Sequence, residues 1–308
     1  MMRGNGRVLQ LGALPDHAIA ELETRFELVA FADEGAAISA IPRLADVQGM
    51  ATSGKATISA ALLECLPELK IISCLGAGTE AIDTEAARER AVELRTTSHV
   101  LASDVADIAM GLIIATARDL FGADQFVRSG GWTLGKYPLA RSLKGARLGI
   151  VGLGAIGSAL AGRAEAFGMA IGYHTRRVVS RSPHPHFESL PDLAAWCDFL
   201  ALCCPGSPAT YRLADAQVLG ALGAKGFLIN VARGSVVDEA ALAEALQAGV
   251  IAGAGLDVFE DEPHPHPALL GCPKTVLLPH IGSATTETRD AMARAMVDAL
   301  VERLRGDA

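Results

Sequence analysis

The chain has 308 residues, half of them hydrophobic, and a formal net charge of −8. That length suffices for two ordinary domains, each with its own core, and the acidic balance excludes a chain built around the dense positive field that nucleic-acid backbones demand. No signal-like segment precedes the first strand-like stretch, and apolar runs such as Ile108 to Ala115 are too short to span a bilayer, so a cytoplasmic protein with neither a membrane nor a nucleic-acid partner is expected.

In chain order, Arg7 to Leu11, Phe26 to Ala30, Val47 to Met50, Lys70 to Cys74 and Ala91 to Leu94 read as strands, with helices at 16 to 24, 58 to 65 and 83 to 91. This alternation fits a small parallel α/β domain. After Leu75 the chain reads GAGTEAID, where Gly76 and Gly78 bracket Ala77; the segment either offers backbone N–H groups to an anion or is a bare turn. From Ser98 the texture changes. Residues 104 to 120 predict a long, mostly buried helix with acids near its start and Arg118 near its end. Residues 129 to 146 form a glycine-rich loop with Trp132, Tyr137 and Pro138, long enough to suggest a lid or a subunit contact.

The most informative stretch is 147 to 176. Leu148 to Val151 fits a buried strand, Gly152, Gly154 and Gly157 follow in G-x-G-x-x-G spacing with Ala155 and Ile156 between them, and a helix Ser158 to Phe167 and a strand Met169 to Tyr173 come next. Glycines also serve ordinary turns, but strand, turn, helix and strand in order indicate dinucleotide binding. Gly152 permits the tight turn, Gly154 a close backbone approach to the pyrophosphate, and Gly157 close packing of helix on strand. An NAD-specific fold ends its second strand with an acid about 20 residues beyond the first motif glycine, to hold the ribose hydroxyls. This chain reads GYHTRRVVSRS there, with Thr175, Arg176 and Arg177 and no acid until Glu188. Arginine pairs with a 2′-phosphate where a carboxylate would repel it, so NADPH is expected ahead of NADH; the alternative is a solvated patch indifferent to the cofactor.

Further on, strands at Phe199 to Cys203, Gly226 to Val231, Ala252 to Val258 and Thr275 to Leu278 alternate with helices near 191 to 196, 214 to 222 and 238 to 247. Ligands of open parallel sheets gather beyond the carboxyl ends of strands. Cys204, Pro205, Val231 and Ala232 are therefore expected on the cofactor, and chemistry is sought at Arg233, Glu262 and His280. Each has a plain alternative: a solvated turn arginine, a surface acid with Asp257, Glu260 and Asp261 as rivals, and a core histidine. Together they suit catalysis, since an arginine clamps carboxylates bidentately and a histidine backed by an acid delivers a proton near neutral pH. The cysteines at 65, 74, 197, 203, 204 and 272 lack paired C-x-x-C spacing and read as small buried hydrophobes. His184 and His186 read as a solvated loop. No metal site is expected, although His264, His266 and His280 would be the ligands of a metal-dependent hydrolase.

GLGAIG at 152 to 157, LINVARGSVVDEAAL at 228 to 242, GLDVFEDEP at 255 to 263 and LLPHIGSAT at 277 to 285 jointly resemble the D-isomer-specific 2-hydroxyacid dehydrogenases, most closely their glyoxylate and hydroxypyruvate reductases. The resemblance implies an α/β fold of two Rossmann-like parallel-sheet domains with a cleft between them. The flavodoxin-like substrate domain is implied at 1 to 97 plus 286 to 308, the dinucleotide-binding domain at 98 to 285. It also implies roles: Arg233 polarises a small 2-keto acid, Glu262 pairs with the catalytic His280, Asp257 seats the nicotinamide end, and the amides of Ala77 and Gly78 hold the substrate carboxylate. The 129 to 146 loop corresponds to a dimerisation arm, implying a homodimer. The rival expectation is a nucleotide-binding regulator without turnover, which would need neither the histidine nor its acid.

Overall fold

The structure, a computed structural model, describes residues 6–305; the outermost residues of the expected substrate domain, 1–5 and 306–308, lie outside that range. The chain divides into two compact units, Met1–Leu101 with Ala284–Ala308, and Ala102–Ser283. Each is a parallel-sheet α/β unit, the architecture expected.

The first unit carries β1 (Arg7–Leu11), β2 (Glu27–Phe31), β3 (Val47–Thr52), β4 (Ile71–Cys74) and β5 (Glu93–Thr96), all parallel in the order β2-β1-β3-β4-β5. This is the flavodoxin-like order, whose crevice lies beyond the carboxyl ends of β1 and β3. The central strands bury nearly every residue, as strands covered on both faces must. The C-terminal helix Thr286–Arg305 packs on this sheet. The Ser73 hydroxyl donates to the Met296 carbonyl at 2.9 Å, and Leu300 occupies the space a side chain at Gly49 would need.

The second unit carries β6 (Arg147–Val151), β7 (Ala170–His174), β8 (Phe199–Leu202), β9 (Phe227–Asn230), β10 (Gly253–Leu256) and β11 (Thr275–Leu277). All are parallel, ordered β11-β10-β9-β8-β6-β7, so the strand order reverses beside β6. Phe199 and Phe227 stack across β8 and β9 with centroids 5.0 Å apart, an arrangement contributing about 1 kcal/mol beyond its buried area.

Several elements differ from expectation, each for a local reason. The helix after the glycine motif runs Ala155–Ala166 rather than Ser158 to Phe167, because Gly154 already takes the extended N-cap conformation. The last strand of the first sheet is displaced from Ala91–Leu94 to Glu93–Thr96, since Ala91 adopts a left-handed turn at φ 56°. The long helix is Ser98–Arg118, so Asp104 and Asp107 lie beyond its first turn, and Asp107 pairs with Arg163 at 2.5 Å. Left-handed Asp119 ends it, and a second, unexpected helix Leu120–Arg128 follows. At 21 residues the long helix exceeds what Ile108 to Ala115 suggested and is long and apolar enough to cross a membrane by length and composition, but 56% of its most apolar window is buried inside the protein. That burial is the mark of a core helix.

Candidate active site

The groove beyond the carboxyl ends of β6 and β8 encloses about 640 Å³. Val151 to Gly154, His174 to Arg177, Cys204, Pro205 and Leu213 line it, bringing together most of the residues assigned to the cofactor. Gly152 sits at φ 93° with the Cys204 backbone so close that a Cβ would approach it at 2.8 Å. A Cβ on Gly157 would collide with the Gly152 carbonyl oxygen. These two positions thus lock motif, helix and β8 loop together, leaving the N-terminus of Ala155–Ala166 facing the groove for a phosphate. Cys204 serves as a packing thiol, its acidity weakened by burial to a pKa of about 11; burial likewise pushes Cys197 up to about 12.

Thr175, Arg176 and Arg177 line the end of the groove beyond β7. The Thr175 hydroxyl donates to the Arg177 carbonyl at 2.7 Å, which shapes this loop. His186, read from sequence as part of a solvated loop, instead packs on Tyr173 at 5.1 Å, with Nε2 2.9 Å from the Thr175 carbonyl. His184 is also largely covered, its side chain 14% exposed. The reason is that Pro185 and Phe187 hydrogen-bond to Tyr173 and run the segment alongside β7. Only the tertiary pairing brings His186 to the arginine loop.

The loops after three adjacent strands carry the remaining residues. At the end of β9, Asn230 is 1% exposed, its amide donating to the Arg233 carbonyl at 2.9 Å and its oxygen accepting the Ala232 N–H at 3.0 Å. Asn230 thereby shapes the turn that presents Arg233; a polar residue ending an apolar strand run was the available signal for it. After β10 come Asp257 and Glu262, and after β11 comes His280. Glu262 faces His280 Nδ1 with both carboxylate oxygens, at 2.9 and 2.8 Å. Among the rival acids, Glu260 turns instead to Arg212 at 3.3 Å, and Asp261 lies 3.9 Å from His264.

His280 occupies the left-handed region at φ 55°, a conformation costing a non-glycine residue about 1 kcal/mol or more unless its surroundings enforce it. Asp257 enforces it. Its carbonyl accepts the His280 N–H at 2.8 Å, and its carboxylate oxygens accept the Ile281 and Gly282 N–H groups, each at 2.8 Å. Burial pushes the Asp257 carboxyl above the ordinary carboxylate range, and these two amides oppose that shift. The side chain assigned by resemblance to the nicotinamide end is therefore committed to the loop of the histidine.

In the first unit, Ala77 and Gly78 follow β4. The Gly76 N–H donates to Thr97 Oγ1 at 2.9 Å, and among the described residues the N–H groups of Ala77 and Gly78 have no partner within the protein. Among the described residues no three of His, Cys, Asp or Glu gather as a metal site, and His266 Nδ1 caps Pro267–Leu270 by accepting the Ala268 N–H.

A family model described as D-isomer specific 2-hydroxyacid dehydrogenase, NAD binding domain, matches residues 110–282. The 2-ketogluconate reductase of Gluconobacter oxydans is 45% identical over 256 residues, covering 83% of this chain and 82% of its own. A glyoxylate/hydroxypyruvate reductase of Arabidopsis thaliana is 40% identical over 301 residues, covering 97% and 96%. Among solved structures, an NADPH-dependent glyoxylate/hydroxypyruvate reductase from Sinorhizobium meliloti, in complex with NADP and malonate, superposes with a TM-score of 0.87 at 42% identity, over 96% of this chain and 93% of that one. The chain belongs to the D-isomer-specific 2-hydroxyacid dehydrogenases, as an oxidoreductase with a nicotinamide cofactor.

Proposed function

We propose that this enzyme reduces glyoxylate and hydroxypyruvate to 2-hydroxy acids, D-specific where the product is chiral, with NADPH preferred over NADH. The observation that carries the reading is the Glu262–His280 hydrogen bond, on loops neighbouring the one that presents Arg233. The residues around the groove fit the cofactor, since Gly152 and Gly157 leave no volume for a Cβ and the motif helix opens toward it. When bound, the reduced nicotinamide supplies the hydride for the 2-keto carbon. With Nδ1 held by Glu262, His280 has Nε2 left to give a proton to the keto oxygen. Arg233 pairs with the substrate carboxylate and draws charge from the keto oxygen, a preorganised electrostatic contribution. The amides of Ala77 and Gly78 are assigned to the same carboxylate, within a substrate domain of 1–97 and 286–308; the cofactor domain is 98–285.

The NADPH preference is supported by Arg176 and Arg177 in the groove and by the NADP complex of the Sinorhizobium relative. A homodimer is supported by apolar side chains in the 129 to 146 loop, where Trp132 is 70% and Leu134 90% exposed. None of the six cysteines is in a disulfide, which fits the reducing cytoplasm.

Steady-state kinetics with both reduced cofactors decide the matter. The panel is glyoxylate, hydroxypyruvate, pyruvate, 2-ketogluconate and hydroxyphenylpyruvate. Glyoxylate and hydroxypyruvate should lead, and His280→Ala should lower turnover by roughly 10²- to 10⁴-fold with cofactor affinity retained. A 2-ketogluconate or hydroxyphenylpyruvate preference would move the enzyme to another specificity within its family, and no oxidation of either cofactor would overturn the reading.

A further inference from the structure

Glu239 is the first residue of the helix Glu239–Gln247, where an acid ordinarily faces water and complements the helix dipole. Here it is buried, 5% exposed, and among the described residues no lysine or arginine pairs with it. Capping is done by its neighbour, since the Asp238 carboxylate accepts the Ala241 N–H at 3.1 Å. The Glu239 carboxylate reaches away from its own helix. One oxygen accepts the Glu260 N–H at 2.7 Å and the other the His266 N–H at 3.3 Å. Glu262 lies between those two residues in the chain, so a single buried side chain ties down both ends of the loop that carries it.

A second contact fixes the same loop to the arginine turn. A Cβ on Gly234, the residue after Arg233, would fall onto the Phe259 carbonyl and the Glu260 nitrogen. The peptide that donates to Glu239 is thus the one that lies against the Arg233 turn. On the exposed side, Arg212 reaches Glu260 at 3.3 Å and Asp238 at 3.6 Å, while Glu262 itself accepts the Phe259 N–H at 3.3 Å. A carboxylate held from water without a cation is costly unless its oxygens are satisfied, and two backbone donors satisfy this one.

We propose that Glu239 is a positioning residue for the reaction, holding the Glu262 loop so that Glu262 stays against His280 while Arg233 keeps its place beside them. The inference rests on the assignment of Glu262 and His280 to proton transfer made above.

Glu239→Gln keeps the shape but puts an NH₂ group against an N–H donor, so at least one of the two ties is lost. Turnover should fall roughly 10- to 100-fold, the effect of a sub-ångström to ångström misplacement, while the Kd for reduced cofactor stays within twofold. The test that separates positioning from plain structural damage is a double-variant cycle. In a Glu262→Gln background, Glu239→Gln should cost less than a further twofold, because the group it positions is already gone. A low-field proton signal from His280 Nδ1–H should weaken in Glu239→Gln as it does in Glu262→Gln. His266→Pro provides a second route: it removes one donor, and with it the Nδ1 cap on Ala268, while suiting the backbone there, at φ −54° and ψ 126°, and should lower turnover several-fold, again without further loss in the Glu262→Gln background. Parental turnover in both Glu239→Gln and His266→Pro, or full additivity with Glu262→Gln, would overturn the inference alone. Parental turnover in Glu262→Gln would overturn both it and the assignment on which it rests.

Discussion

Gly234→Ala is a small change that reaches two functional loops at once, the turn after Arg233 and the loop that carries Glu262. The added methyl would lie closer than 3.0 Å to the carbonyl carbon and oxygen of Phe259 and to the nitrogen of Glu260. All of these are backbone atoms, so no rotamer relieves the overlap, and either the 259–260 peptide or the turn after Arg233 must withdraw by on the order of 1 Å. Overpacking of this kind costs about 1–3 kcal/mol, and for a unit of this size the Tm should fall by roughly 3–10 °C. The functional loss should be larger in proportion. An ångström of displacement at Glu262 or Arg233 lowers kcat by about 10²-fold, while the groove beyond β6 and β8 keeps its affinity for cofactor. Calorimetry, steady-state kinetics and a cofactor titration on the purified variant read all three quantities. Gly162→Ala is the matched control: it is exposed in the middle of Ala155–Ala166, with nothing within 4 Å of the new methyl, and should gain about 0.5–1 kcal/mol without touching kcat. A Gly234→Ala enzyme with parental Tm and kcat would refute the reasoning.

Other expectations are equally direct. Arg176 and Arg177 are exposed, so solvent screens them, and removing both should cost NADPH about 1.5–3 kcal/mol, a 10- to 100-fold fall in kcat/KM, while NADH changes less than twofold. Equal kcat/KM for the two cofactors in the parent would show the loop to be misread. Burial alone would raise the Asp198 carboxyl, but the Arg147 amide and the Arg141 guanidinium outweigh it, and the group sits below its ordinary value of 3.8. A depressed carboxyl stabilises the fold above that value and ceases to do so as pH falls through its lower, folded-state value. Asp198→Asn should therefore be less stable by about 1 kcal/mol at neutral pH, and its Tm deficit should close below pH 3.8; a constant deficit would contradict the ion-pair account. Light scattering at micromolar concentration should give a dimer that a shortened 129 to 146 loop converts to monomer, and a monomeric parent would remove the idea.

The sheets were legible because each central strand is a short apolar run ending at a turn signal, and in parallel sheets such ends also mark where ligands bind. Arg233, Glu262 and His280 could be picked out for that reason. Glu239 could not, because an acid at the first turn of a helix has a complete local explanation in the helix dipole, and only the fold shows its oxygens spent on residues more than 20 positions away. His186 was misread for a related reason: a segment spelled PHPHF looks solvated until its backbone is seen pairing with Tyr173. The helix Leu120–Arg128 was legible in principle, since Leu120, Ala123 and Val127 recur at helical spacing; what the sequence does not show is that Asp119 ends the long helix before it and that Leu120, Phe121 and Val127 stay exposed.

The glycine motif, the arginine loop, Arg233, Glu262 and His280 all fall between Ala102 and Ser283, a single uninterrupted stretch of chain. Recombination between relatives with crossovers at those two boundaries would carry the residues proposed for cofactor binding and proton transfer as one heritable cassette. The segment of Ala77 and Gly78 lies outside it. On the proposed function, a lineage could thus exchange the flanking segments while leaving untouched the residues assigned to hydride and proton transfer.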